Sequence, residues 1–207
     1  MELTFTHSNL TVQLPDEVRL WAEAEASGMM DAEELLYLAA TLASCSWPER
    51  SIVVEIGAYV GQTTVFMARV LQLLGQRIPI LSVDPFERAQ PDALNPQGIY
   101  SAYLERVQAN QLADMCMPLV AFSQHAAPVV PDRIGALVVD GGHYYPTVST
   151  DLELYGPKLV RGGLIFIDDY GPMYPDVMRA VDEYFTPHAP FDVLHRSYFV
   201  IARRHDT

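Results

Sequence analysis

Five short, continuous apolar runs constrain this chain most. They are Ser51–Ile56, Ile78–Val83, Met117–Phe122, Ile134–Val139 and Leu164–Ile167. Each is too short for a buried helix and lacks the alternation of a half-exposed strand. Such runs belong to parallel strands covered on both faces. Stretches of helical periodicity separate them. Thr63–Leu74 is one, closed by Gly75 as a C′ glycine. Tyr100, Tyr103, Leu104 and Val107 share one face of another. Pro146 opens a helix reaching about Tyr155, and Pro175 suits the first turn of a helix through Phe185. Two last runs, Phe191–Leu194 and Tyr198–Ala202, are joined by only His195-Arg196-Ser197, which favours an antiparallel hairpin. The fold class is therefore α/β, a mostly parallel seven-stranded sheet with a C-terminal antiparallel hairpin.

The first fifty residues read differently. A helix begins near Pro15-Asp16 and fades by Ser27-Gly28. A second begins at Asp31, with Glu34 placed to complete a capping box, and ends before Trp47-Pro48. Residues 1–50 thus form an N-terminal helical appendage to an α/β domain over residues 51–207. Leu35, Leu38, Ala39, Leu42 and Ala43 give the second helix a broad apolar face. That face suits either a symmetric homo-oligomer or packing on its own sheet. Met29-Met30, between the helices, suits either helix packing or a cover over a ligand. The start of the chain has no basic segment followed by an apolar one, so no signal peptide is expected. No apolar run is long enough for a bilayer. A formal charge of -13, without a basic run, argues against duplex nucleic acid and anionic membrane as partners. Cys45 and Cys116 have no metal spacing and fit a reduced, cytoplasmic compartment.

The strand ends carry the chemistry. Asp140 follows one apolar run, with His143 three residues on, and Asp168-Asp169 follow the next. Parallel strands ending this way put hard oxygen ligands on one rim, where α/β sheets bind ligands. Carboxylates without cysteine suit a cation such as Mg²⁺. A solvated turn for the Asp pair and an ordinary loop histidine are the plain alternatives. In Glu55-Ile56-Gly57-Ala58-Tyr59-Val60-Gly61, Gly57 lets the chain turn and Gly61 opens the next helix. Tyr59 stands where a dinucleotide site wants its second glycine, and it would crowd a pyrophosphate. A nucleoside cofactor without phosphate escapes that conflict. An NAD-dependent oxidoreductase is disfavoured by Tyr59 and by the terminal hairpin. Asp84, ending the second run, is placed to accept ribose hydroxyls. Glu55, charged inside an apolar strand, needs a partner such as a bound α-amino group or backbone amides.

These motifs carry a resemblance. The stretch Glu55–Arg69 resembles the first motif of catechol O-methyltransferases. Asp84-Pro85-Phe86-Glu87, Asp168-Asp169-Tyr170-Gly171 and Ala180-Val181-Asp182-Glu183-Tyr184 resemble motifs of macrolide-sugar O-methyltransferases of the macrocin and mycinamicin type. That group includes proteins similar to cephalosporin hydroxylase. The resemblance covers roughly Ser51 to Phe185 and implies a Rossmann-like class I methyltransferase fold using S-adenosylmethionine. It places Glu55, Tyr59 and Thr63 around the methionine portion, with Gly57 and Gly61 also in the cofactor-binding set, Asp84 at the ribose, and Ser123 and Gln124 at the adenine. It aligns Asp140, Asp168 and Asp169 with the metal ligands, Asp140 also bordering the cofactor. It puts His143 at the catalytic position. Gly141-Gly142-His143 departs from the His-Trp-Lys of catechol enzymes and argues against a catechol substrate.

The expected activity is Mg²⁺-dependent transfer of a methyl group to a small-molecule hydroxyl acceptor, of sugar or natural-product type. Two rivals stand beside it: an oxidative enzyme similar to cephalosporin hydroxylase, and a non-catalytic module that keeps the cofactor pocket.

Overall fold

A computed structural model describes residues 1–4, 11–26, 29–87 and 96–205. Of the loop Arg88 to Pro96, whose length and turn-rich composition suggest a substrate gate, residues 88–95 lie outside the described residues. So do Ser27 and Gly28.

The chain opens with two short strands, β1 (Glu2–Thr4) and β2 (Thr11–Gln13), paired antiparallel. Helices α1 (Asp16–Glu25) and α2 (Ala32–Ser44) follow. The capping box expected at α2 is present. Asp31 Oδ1 accepts the amides of Glu33 and Glu34 at 2.8 and 3.0 Å, and the Glu34 carboxylate accepts the Asp31 amide at 2.5 Å. Together these satisfy donors that a helix start otherwise leaves unpaired.

Seven strands form the main sheet. They are β3 (Ile52–Ile56), β4 (Ile80–Asp84), β5 (Cys116–Val120), β6 (Ile134–Val139), β7 (Leu159–Ile167), β8 (Phe191–Arg196) and β9 (Val200–Arg204). Their order is β5-β4-β3-β6-β7-β9-β8. The first five are parallel, and β9 inserts antiparallel between β7 and β8. This is the expected Rossmann-like methyltransferase layout with its terminal hairpin. The connecting helices are α3 (Gln62–Leu73), α4 (Pro96–Ala109), the one-turn α5 (Ser123–Ala126), α6 (Tyr145–Tyr155) and α7 (Pro175–Tyr184).

The period of two along each strand divides the core. Val53, Ala136, Val138, Leu164 and Phe166 face helices α1 to α4. Val54, Ile56, Leu137, Val139, Ile165 and Ile167 face α5 to α7. With both faces covered, alternation disappears and the strands read as unbroken apolar runs. On α2, Leu35, Leu38, Ala39 and Leu42 are buried in the same cluster as Val53 and Phe166, so its apolar face is covered within the chain. Among the described residues no helix is long and apolar enough to cross a membrane.

Several features differ from the sequence reading. His195 and Arg196, read as part of the hairpin link, belong to strand β8. The N-terminal part holds a small sheet as well as helices. Strand β7 starts at Leu159, five residues before the apolar run. Its first half carries Gly162 and Gly163, which mask it as a loop. Gly162 adopts φ +73°, and a Cβ on Gly163 would lie 2.9 Å from Val160 O and 3.1 Å from Gly135 O. Strand and neighbour approach so closely there that only glycine fits.

Candidate active site

The parallel strands end on a common rim because their ladder continues past them. Gly57 N–H donates to Val83 O at 3.0 Å, Asp140 N–H to Ile56 O at 2.9 Å, and Asp168 N–H to Val139 O at 3.0 Å. Residues far apart in sequence are thereby fixed side by side at the carboxyl end of the sheet, where ligands bind in open α/β folds.

Between β3 and α3 the chain turns through left-handed conformations at Gly57 (φ +91°), Tyr59 (φ 48°) and Gly61 (φ 76°). A Cβ on Gly57 would meet Asp140 O at 2.0 Å, and one on Gly61 would meet the Tyr103 ring at 2.7 Å. The turn is held from beneath by Asp84. Its Oδ2 accepts the amides of Ala58 and Tyr59 at 2.9 and 2.8 Å, and Oδ1 accepts the Phe86 amide at 2.5 Å. Tyr59, Phe86 (φ 53°) and Asp169 (φ 59°) are left-handed residues without the glycine excuse, at the ends of three different strands. Of the five such residues among those described, these three stand at the rim, and strained backbone at a ligand rim points to function.

A cavity of about 710 Å³ runs along this rim, in the size range of a cofactor site. Its wall includes Gly57, Tyr59, Asp84, Ser123, Gln124, Asp140, His143 and Asp169 from the expected set. Met29 lines it and is 72% exposed, while Met30 is buried in the core, so the pair divides between the two roles considered. Glu55, Gly61 and Thr63 stand outside that wall. Glu55 is fully buried on the α3 side of the sheet, and its Oε2 accepts the hydroxyls of Thr64 and, at 2.8 Å, Ser82. Burial pushes its carboxyl up to about 7, and the two hydroxyls pull the other way. In place of the α-amino group or backbone amides expected as its partner, Glu55 Oε2 meets two side-chain hydroxyls. The sequence signal for Ser82 lay in sheet register alone, since Glu55 pairs with Ser82 across β3 and β4.

Asp140, His143 and Asp169 converge. Each offers a ligand atom, and the three lie within 4.8 Å of one another. His143 Nε2 is 2.7 Å from Asp169 Oδ2, and its ring packs on Tyr174 with centroids 4.2 Å apart. Asp168 sits just behind, 5% exposed. Its Oδ1 accepts the Asp169 amide at 2.8 Å, and its carboxyl hydrogen-bonds Glu34 of α2. Burial, then the Glu34 charge, push Asp168 up to about 8. Asp140 is raised well above the usual carboxylate range by burial and then by Asp168 and Asp169. The charges acting most on Asp140 are all carboxylates: Asp168, Asp169, Glu55 and Glu34. Such uncompensated negative charge, with hard oxygen donors, fits a divalent cation. Sequence reasoning missed Glu34 here, because its only local signal was the capping box.

Residues 54–170 match the family described as "Methyltransferase domain". The chain belongs to this methyltransferase family. The fold agrees with solved structures. The O-methyltransferase NovP superposes with a TM-score of 0.69 at 20% identity, over 93% of this chain and 89% of that one. CalS11, a TDP-rhamnose 3′-O-methyltransferase of calicheamicin biosynthesis, gives 0.61 at 18% identity, over 94% and 97%. Cofactor-bound Rv0187 from MTB gives 0.57 at 14% identity, over 94% and 100%. No match was found among curated proteins. For a methyltransferase the cavity has a direct reading. A phosphate-free nucleoside tolerates Tyr59 at the turn, and the methyl donor S-adenosylmethionine is such a nucleoside.

Proposed function

We propose that this methyltransferase moves the methyl group of S-adenosylmethionine to a hydroxyl of a small molecule, with Mg²⁺ held at the rim. The observation that carries the reading is the convergence of Asp140, His143 and Asp169 on the wall of the nucleoside cavity. The cosubstrate supplies an electrophilic methyl group, and the cation supplies positive charge that lowers the pKa of an acceptor hydroxyl. Asp140 and Asp169 would hold the cation, with Asp168 buried against Glu34 behind them. His143 has its Nε2 turned to Asp169, which leaves Nδ1 as the acceptor of the neutral ring. That nitrogen can take up a proton, so His143 is the base for the acceptor hydroxyl. Holding that oxygen in line with the methyl group supplies much of the rate.

The acceptor we favour is a sugar or related natural product. Gly141 and Gly142 leave the loop beside His143 without an aromatic wall, and Tyr144, 76% exposed, offers an open stacking surface. The similar CalS11 acts, by its description, on a TDP-rhamnose. The test is calorimetry with S-adenosylhomocysteine, then Mg²⁺ titrated into that complex, then label transfer to a panel of vicinal diols. Nucleoside binding without cation binding would remove the metal from the scheme. Label transfer to catechol in preference to sugars would overturn the acceptor class.

A further inference from the structure

The amino end of the parallel strands, opposite the active rim, holds a second cavity of about 460 Å³. Its wall brings together Arg133, Arg161 and Arg204. Arg133 precedes β6, Arg161 lies early in β7 and Arg204 ends the antiparallel β9, and these three strands are neighbours. The sequence has no basic run, yet the fold gathers three of its 13 basic residues at one place in a chain with 26 acidic ones.

Two acids share the wall, Glu49 and Asp132, and each has a cation of its own from outside it. Arg50 Nε lies 3.7 Å from Glu49 Oε1, and Lys158 Nζ lies 2.7 Å from Asp132 Oδ1. Arg133 and Arg204 are held differently. Arg133 Nη1 donates to Glu49 O at 2.7 Å, and Arg204 Nη1 donates to Pro157 O at 2.6 Å and to Leu159 O. A main-chain carbonyl fixes a guanidinium without neutralising it. Among the described residues these bonds engage Nη1 alone. The Nε–Nη2 edge, which can grip an oxyanion through two parallel bonds, is not spent on them.

The backbone is shaped around the same place. Ile134 and Ala136, two positions apart on β6, pair with Leu159 and Leu164, five positions apart on β7. The residues between Leu159 and Leu164 therefore bulge from the ladder, and Val160 and Arg161 of that bulge line the cavity. Gly162 turns it with φ +73°. A bulge of this kind re-aims side chains and is common beside binding sites. Ile52 N–H donates to Arg133 O at 3.1 Å, which fixes the opposite wall. Guanidiniums converging from three strands suit a ligand with more than one negative charge and several oxygens.

We propose that this cavity is an anion site, separate from the methyl-transfer site, that takes the phosphate or diphosphate group of a small molecule.

Calorimetry on the full chain, with inorganic diphosphate in metal-free buffer of about 0.05 M ionic strength, tests this. Wild type should bind with a Kd of about 1 mM or tighter. Arg133 and Arg161 are both exposed, so the double variant Arg133→Gln, Arg161→Gln should melt near wild type. It should bind roughly 10-fold more weakly, at about 3-fold for each charge pair lost. If the double variant melts early, Arg133→Gln alone should show the 3-fold loss. Arg19→Gln, which removes an equal charge from α1, should stay within about 2-fold of wild type. Uridine diphosphate separates the sources of the anion. Tighter binding than inorganic diphosphate supports a nucleotide ligand of the site, and weaker binding supports the free anion. Saturating S-adenosylhomocysteine should leave the diphosphate affinity unchanged. Absence of saturable diphosphate binding by about 10 mM would overturn the assignment. So would wild-type affinity in the folded arginine variants, an equal loss in Arg19→Gln, or competition with S-adenosylhomocysteine, which would put the anion in the other cavity.

Discussion

Gly57→Ala is the sharpest perturbation the site offers. Two separate terms act there. The first is the left-handed backbone, φ +91°, which costs a residue with a Cβ about 1–2 kcal/mol. The second is crowding. The new methyl would lie 2.0 Å from Asp140 O, 2.6 Å from Asp140 C and 2.8 Å from Gly141 Cα. All three are backbone atoms in a strand end, so no flexible side chain can swing aside. Overpacking of this kind costs about 1–3 kcal/mol. Against both stands a gain of about 0.4–1 kcal/mol from a stiffer unfolded chain. Gly75→Ala is the matched control. Its φ is +71°, and a Cβ there meets nothing within 4 Å. The backbone and unfolded-state terms are similar in the two variants, so their difference isolates the crowding. Thermal unfolding should place Gly57→Ala below Gly75→Ala by roughly 2–12 °C, from about 1–3 kcal/mol at about 2–4 °C per kcal/mol for a chain this size. Because the displaced atoms belong to Asp140 and Gly141, affinity for S-adenosylhomocysteine should fall in Gly57→Ala and hold in Gly75→Ala. Equal melting points would refute the reasoning, since the rim would then yield at no cost.

Other outcomes follow from the same geometry. His143→Ala should lower kcat by about 100-fold or more while leaving S-adenosylhomocysteine affinity within about 3-fold; an unchanged kcat would remove it from the base role. Asp169→Asn should weaken Mg²⁺ binding to the nucleoside complex, read by calorimetry, and wild-type affinity in that variant would place the cation elsewhere. The pH dependence of stability should carry a signature of Glu55. Its folded pKa, about 7, lies above the ordinary 4.5, so the folded state holds the proton more tightly. The resulting stability is present below about pH 4.5 and is lost as pH rises through 7, by about 3 kcal/mol in all. Glu55→Gln should flatten that fall in urea titrations between pH 5 and 8. An unaltered slope would assign the effect to another group.

Much of the sheet was legible because its strands are buried on both faces. Ile134–Val139 reads as six apolar residues for that reason, and its bounds match β6. β7 was truncated in the reading because Gly162 and Gly163 meet a packing demand yet look like a turn. β1 and β2 escaped because three-residue strands, joined through a separated pairing, leave no periodicity to detect. The rim carboxylates were legible as a pattern, Asp140 and Asp169 meeting at His143. Their neighbours were not. Glu34 reaches Asp168 from 134 positions earlier in the chain. Local sequence shows which residues could act. Which carboxylate is left facing a cavity, and which is consumed by another acid, depends on contacts across the fold.

The link between Glu34 and Asp168 bears on how this chain can be divided. Asp31 and Glu34 begin α2, and the same Glu34 carboxyl that closes the helix start also backs the aspartate beside the cation cluster. Tyr198, in the hairpin between β8 and β9, donates its hydroxyl to Asp31 at 3.1 Å. The beginning, the rim and the end of the chain therefore meet at one helix terminus. A graft that replaced the first fifty residues with those of a relative would re-set the acidity of the active rim as well as the outer shape, and modular exchange at Ser51 would not leave the chemistry untouched.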